Sequence, residues 1–266
     1  MDTAFVTASH SDAILDANLR RSPLFASHPL HVERGAPSAA IAYNRALDQT
    51  SGEIVIFAHH DVFLPKGWEA VLAARLAEVQ DTDPNWAVFA AFGIALDDAH
   101  IGPVWSSSLG MIAGRVPMAP VPIQSCDEML IVLRRSAGLR FDETLPGWHM
   151  YGTDIVQIAR AAGKGAYAGA LPTVHNDRHH DALGRDFDEA YAFMQRKWAE
   201  ALPIRSPITK ISRSGLHLMR DRWQNRRSEG FREGMSIGTG HPPEWLAARC
   251  GWSDLTACAP GAPETR

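Results

Sequence analysis

The chain has 266 residues, 45% of them hydrophobic, enough for one large domain with appendages or at most two small domains. Lys+Arg 26 against Asp+Glu 30 gives a formal net charge of −4. That balance argues against a general nucleic-acid binder, which needs an excess of phosphate-neutralising cations.

Ala4 to Ala8 is a short apolar run that reads as a buried strand. It ends in Ser9-His10-Ser11-Asp12, a helix N-cap followed by an apolar stripe of Ile14, Leu15 and Leu19. Leu30 to Glu33 reads as a second strand. Ser38 is then expected to cap a helix bearing Ile41, Ala42, Ala46 and Leu47. Ser51-Gly52 breaks that helix, and Glu53 to Ala58 is the clearest strand of the chain. His59-His60-Asp61 follows it directly, and a helix is expected from about Trp68 to Val79.

A further strand is expected at Ala87 to Phe92. The longest nearly apolar run, Trp86 to Leu96, is well short of the roughly 18 residues a membrane span needs. Gly102 to Pro122, punctuated by glycine and proline, is expected to be irregular. Met129 to Leu133 reads as a strand, Asp154 to Ala162 as a helix, and Gly165 to Ala168 leads into Val174-His175. Strands alternating with helices predict an α/β fold with a mostly parallel central sheet covered on both faces. Ligands in such sheets sit at the carboxyl ends of the strands, which points to Ser9, His59 to Asp61 and His175.

From Arg196 to Arg232 there are ten Lys+Arg against three acidic residues, so the remainder of the chain is strongly acidic. Ile211, Leu216, Leu218, Met219 and Trp223 give this stretch an apolar side at helical spacing. The expected organisation is a core domain over residues 1–200 and a basic helical extension over 201–266, ending in a disordered tail. Cys126, Cys250 and Cys258 are odd in number and show no CxxC spacing, and Met1-Asp2 lacks the basic start of a signal peptide. A cytoplasmic, reducing location is therefore expected, with peripheral contact at the inner membrane surface or with an anionic acceptor through the basic segment.

A carboxylate and imidazoles at the end of a strand suit a divalent ion. Mg²⁺ or Mn²⁺ keeps few protein ligands and takes others from substrate phosphates. Four motifs in order then carry a resemblance: Ser38 to Asn44, Gly52 to Phe57, His59-His60-Asp61-Val62, and Phe141-Asp142-Glu143 followed by Trp148 to Asp154, with Val174-His175 beyond. Over about residues 3 to 180 this resembles family-2-type glycosyltransferases of the GT-A fold. More narrowly, it is similar to a bacterial glycosyltransferase-like branch whose Asp-x-Asp is replaced by a His-x-Asp-Val sequence. Thr153 stands where that family carries the Glu of its Glu-Asp pair.

The resemblance implies a GT-A-type, Rossmann-like sheet and metal-dependent transfer of a sugar from a nucleotide donor, UDP- or GDP-linked, to the hydroxyl of a glycan or other acceptor. It implies Mn²⁺ or Mg²⁺ held by Asp61 and His175, and donor contacts from Thr7, Ser9, Asn44 and His59. Acceptor contacts fall to Trp148, His149, Asp127 and Glu128, and Asp154 becomes the general base of an inverting displacement, with Glu143 or Asp127 next in line. Two other readings compete. One is a zinc or iron hydrolase built on His59, His60, Asp61, His175, His179 and His180, although the usual ligand spacings are missing. The other is a GT-A-like nucleotide-sugar binding module without turnover.

Overall fold

A computed structural model describes residues 2–178 and 183–258. The fifteen strands of the described residues, in chain order, are β1 (Thr3–Ala8), β2 (Leu30–Glu33), β3 (Ile54–Ala58), β4 (Val62–Phe63), β5 (Trp86–Ala90), β6 (Gly93–Ala95), β7 (His100–Ile101), β8 (Val104–Ser106), β9 (Met111–Ala113), β10 (Val121–Cys126), β11 (Leu130–Arg134), β12 (Gly165–Ala168), β13 (Thr173–His175), β14 (Ile204–Arg205) and β15 (Lys210–Ile211). The helices are α1 (Asp12–Ala17), α2 (Ala39–Gln49), α3 (Trp68–Thr82), α4 (Tyr151–Ala161), α5 (Arg185–Lys197), α6 (Leu216–Arg227), α7 (Glu229–Met235) and α8 (Pro243–Arg249).

The fold is mixed α/β, with a central sheet in the order β2-β1-β3-β11-β5-β12-β10-β6-β7. β2, β1, β3, β5, β12 and β6 run one way, and β11, β10 and β7 run the other. The sheet is thus mostly parallel, as alternating strands and helices predict, with β11 inserted antiparallel between β3 and β5. Both faces are covered. Along β3, Val55 and Phe57 face a core built with α2, α4 and α5, while Ile54, Ile56 and Ala58 face one built with α1, α3 and α8. The period-2 alternation of a strand produces this division, and every residue of β3 is buried. That is why the segment reads as an unbroken apolar run.

Helix starts follow the local chemistry. Ser11 accepts a hydrogen bond from the Ile14 amide and Ser38 from the Ile41 amide, so each satisfies an otherwise orphaned N–H. The stretch expected to be irregular is more regular than its glycines suggest. β8 and β9 form a hairpin and join β4 and β13 in a second sheet, in the order β4-β13-β8-β9. This small sheet lies beyond the carboxyl end of β3 and positions the site.

The basic segment is only partly an extension. β14 and β15 pair with each other, and Ile204, Ile211 and Leu218 join the α2–α4 core. α8 and the residues after it return to the other core through Leu246, Ala247, Trp252 and Leu255, and the Leu255 amide donates to the Lys66 carbonyl. The tail expected to be disordered, residues 259–266, lies outside the described residues.

Candidate functional site

The β3–β11 ladder runs one step past Ala58, with the His59 amide donating to the Met129 carbonyl at 2.9 Å. The turn closes when the Val62 amide donates to the His59 carbonyl, and the chain then enters β4. β4 pairs antiparallel with β13, with Val62 opposite His175, and the Asn176 amide donates to the Asp61 carbonyl. That register brings His175 to Asp61 across more than a hundred residues of sequence. Ligand atoms of His59, Asp61 and His175 all lie within 4.8 Å of one another.

His59 and His60 point apart, as neighbours at a strand end must. Nε2 of His59 is 2.8 Å from the Tyr151 hydroxyl. Nδ1 of His60 is 2.8 Å from Ser9 Oγ, and its ring packs on His10 with centroids 4.8 Å apart. His175 Nε2 lies 3.3 Å from Asp61 Oδ1, an ion-pair distance. That oxygen is buried and meets His175 as an ion pair, with no well-formed hydrogen bond among the described residues.

Charge explains the titration of the cluster. Burial alone would raise the Asp61 carboxyl, but the surrounding histidines, His175 foremost, outweigh it and hold the group well below the usual carboxylate range. Burial would likewise lower His175, yet the Asp61 carboxylate raises it to about 10. His59 is pulled down by burial to about 4 and is neutral at pH 7.

A buried carboxylate oxygen lacking a well-formed hydrogen bond, between two imidazoles, fits a divalent ion of intermediate hardness. His59, Asp61 and His175 are the residues that would hold it.

Two cavities meet at this cluster. The first, about 810 Å³, is lined by Ser9, His10, Tyr43, His59, His60, Asp61, Trp148 and Arg178 among others. The second, about 870 Å³, is lined by Asp127, His149, His175, Asp177, Asp186, Arg222, Arg226 and Arg232 among others. The two ends of the cluster therefore face different spaces. Each volume suits a ligand of drug-like size or larger.

The residues expected from sequence divide between these places. Ser9, His59, Asp61 and Trp148 line the first cavity, so Trp148 lies on the side of Ser9 rather than with His149. Asp127, His149 and His175 line the second. Thr7 is buried, and its hydroxyl has no hydrogen bond among the described residues. Asn44 is buried too, and its side-chain amide ties down the Phe141 amide and carbonyl and the Glu143 carboxylate. Glu128 accepts from the Gly152 amide, and burial foremost, then Asp127, push its carboxyl up to about 8. None of Thr7, Asn44 and Glu128 lines either cavity.

Asp154, expected as the base, is buried in a charged pair. It is 1% exposed, and its two oxygens accept from Lys197 Nζ at 2.8 Å and Trp198 Nε1 at 2.7 Å. It lines neither cavity, and it holds the end of α5 onto α4. His179 and His180 lie outside the described residues.

Sequence reasoning gave no role to Tyr151, although it lies within the Trp148 to Asp154 motif, and missed the Ser106-Ser108-Asp177 cluster on the second cavity. There Asp177 accepts from Ser106 Oγ at 2.9 Å, from the Ser108 amide at 3.1 Å and from the Ser108 hydroxyl. The only signal for it was the serine run itself, inside a stretch read as irregular. Met150, just before Tyr151, has φ +65°, a left-handed conformation that costs a non-glycine residue roughly 1–3 kcal/mol. Such outliers concentrate at functional sites.

No family model matches the chain. Over 136 residues it is 27% identical to a Fuscovulum blasticum protein described as ATP synthase subunits region ORF 6. That match covers 47% of this chain and 52% of the relative, so the chain spans about half the length of the curated relative it matches.

Solved structures to which the chain is similar include GalNAc-T7 with UDP, GalNAc and Mn²⁺, at 13% identity and a TM-score of 0.49, covering 98% of this chain and 58% of that one. Glucosyl-3-phosphoglycerate synthase from Mycobacterium tuberculosis with Mn²⁺, UDP and phosphoglyceric acid shows 15% identity and a TM-score of 0.44, covering 78% and 81%. A mannosyltransferase from Pyrobaculum calidifontis with GDP-Man and Mn²⁺ shows 12% identity and a TM-score of 0.42, covering 97% and 77%.

Proposed function

We propose that the protein is a GT-A-type glycosyltransferase that moves a sugar from a nucleoside-diphosphate donor to an acceptor hydroxyl. The observation that carries this reading is the position of His59, Asp61 and His175 between two cavities. Transfer between two substrates needs a space for each and a charge-stabilising group where they meet.

The first cavity takes the donor nucleotide. Ser9, His10 and His60 offer hydrogen-bonding and stacking edges there, and Trp148, half exposed, offers a flat face. The divalent ion, Mn²⁺ or Mg²⁺, would neutralise the charge developing on the diphosphate leaving group. The second cavity takes the acceptor.

The base role passes from Asp154 to Asp127. Asp127 shares the second cavity with His175, and its Oδ1 is fixed by the Met129 amide at 2.9 Å. Its Oδ2 makes no hydrogen bond among the described residues, which leaves it able to take the acceptor proton. A base on the acceptor side, facing the metal cluster, supports inversion at the anomeric carbon.

The test is a thermal-shift series with UDP and GDP, with and without Mn²⁺. A ligand bound only by the native state raises the melting temperature by mass action. The expected result is a shift that needs both nucleotide and metal and disappears in Asp61→Ala. A nucleotide shift equally large in that variant would sink the reading.

A further inference from the structure

The outer face of α6 is the reverse of an ordinary surface helix. Leu218 is its one buried side chain, and the helix is held to the body by polar ties, Arg222 to Asp188 at 2.6 Å and Thr209 to Asp221 at 2.7 Å. Its larger apolar side chains point to solvent: Leu216, Met219 and Trp223 are 59%, 64% and 56% exposed. Positions 216, 219 and 223 fall on one helical face. Phe231 on α7 extends the exposed apolar surface at 72%.

The tip of the β8–β9 hairpin adjoins it. Ser107 O accepts from the Ile237 amide and the Ser236 hydroxyl, both at 3.2 Å. A Cβ on Gly110 would lie 2.0 Å from the Met235 carbonyl oxygen, so the two backbones touch there. Leu109, Met111 and Ile112 on that hairpin are exposed as well.

Charge decides what this face fits. Arg213, Arg220 and Arg227 are exposed around the apolar residues, and the Arg227 guanidinium lies 4.6 Å from the Trp223 ring centroid. Trp, Leu, Met and Phe interleaved with arginine suit the headgroup zone, where apolar groups enter the acyl boundary and cations meet lipid phosphates. The rest of the chain is acidic, so its field turns this face toward a negative surface. An isologous contact with a second copy would set these arginines against each other. We infer that α6, α7 and the β8–β9 tip form a docking surface for an anionic lipid bilayer.

Arg222 and Arg226 of the same helix line the second cavity, which therefore lies against this surface. Resting on the transferase reading, this makes the acceptor an amphiphile held in the membrane. The docking itself does not depend on that reading.

The test is co-sedimentation of the full chain with vesicles of equimolar phosphatidylglycerol and phosphatidylcholine, without nucleotide. Binding is expected, falling at least tenfold as NaCl rises from about 0.05 M to about 0.5 M, as surface charge is screened. Met219→Ser with Trp223→Ser, and separately Arg220→Glu with Arg227→Glu, should each cut the bound fraction at least about tenfold. These side chains are exposed, so circular dichroism and the metal-dependent nucleotide shift should stay as in the parent. No binding, or equal binding to pure phosphatidylcholine, overturns the inference. So does a concentration-dependent oligomer that Trp223→Ser abolishes, since the face would then cover a second copy. Failure of the transferase reading would show only in the nucleotide shift, with vesicle binding intact.

Discussion

Nε2 of His59 lies 2.8 Å from the hydroxyl of Tyr151, and that hydroxyl donates to the Glu128 carbonyl at 3.3 Å. A residue to which the sequence motif gave no role thus orients a candidate metal ligand.

Tyr151→Phe removes that orientation and keeps the ring packed against Tyr43 and Phe141. Mn²⁺ affinity, read by calorimetry, should fall roughly 10–100-fold, with a smaller loss of thermal stability. Parent-like Mn²⁺ affinity would remove His59 from the ligand set.

Asp127→Asn and Asp154→Asn separate the two candidate bases. Asp127→Asn should keep the metal-dependent nucleotide shift and lose roughly 10² to 10⁴ in turnover. Asp154→Asn weakens the grip on Lys197, which keeps Asp142 at 2.7 Å, and should cost about 1–3 kcal/mol in denaturant melts. Its turnover, corrected for the folded fraction, should stay within a few-fold of the parent. The reverse pattern of turnover would return the base role to Asp154.

Glu128 gives a pH dependence whose sign is fixed by burial. Its folded pKa, pushed up to about 8, lies above the unfolded value, so folding takes up a proton between the two. The stability linked to the protonated form is fully present below about pH 4.5 and is lost as pH rises through about 8. Glu128→Gln stays neutral throughout. Urea melts at acid and alkaline ends of this window should show the variant gaining on the parent as pH rises. A constant difference would mean that Glu128 ionises as freely in the folded protein as in the unfolded one.

Gly152→Ala tests the close approach of α4. An added Cβ would lie 2.8 Å from the Cys126 carbonyl oxygen and 3.3 Å from Glu128 Cγ. The first of these is backbone, so relief requires moving α4 away from β10. A loss of about 1–3 kcal/mol is expected in chemical denaturation, the usual cost of overpacking. Because Tyr151 is adjacent, Mn²⁺ affinity should fall along with stability.

Local signals in the sequence determined much of this protein. The apolar run of β3, the serine caps at Ser11 and Ser38 and the alternation of strands with helices each depend on neighbours a few residues away. So does the turn that carries His59 to Asp61 at the end of the strongest strand. Other features were decided by tertiary structure. β4 and β13 are too short to announce a partner, yet their register sets His175 beside Asp61. Asp154 sits in the first turn of α4, where an acidic residue looks functional and structural alike. Its role follows from Lys197 and Trp198, more than forty residues on, which occupy both its oxygens. Hydrophobic period and capping are written within one or two turns of chain. The pairing of short strands and the partners of a buried charge depend on distant segments, and only the packed sheet and its helices bring those together.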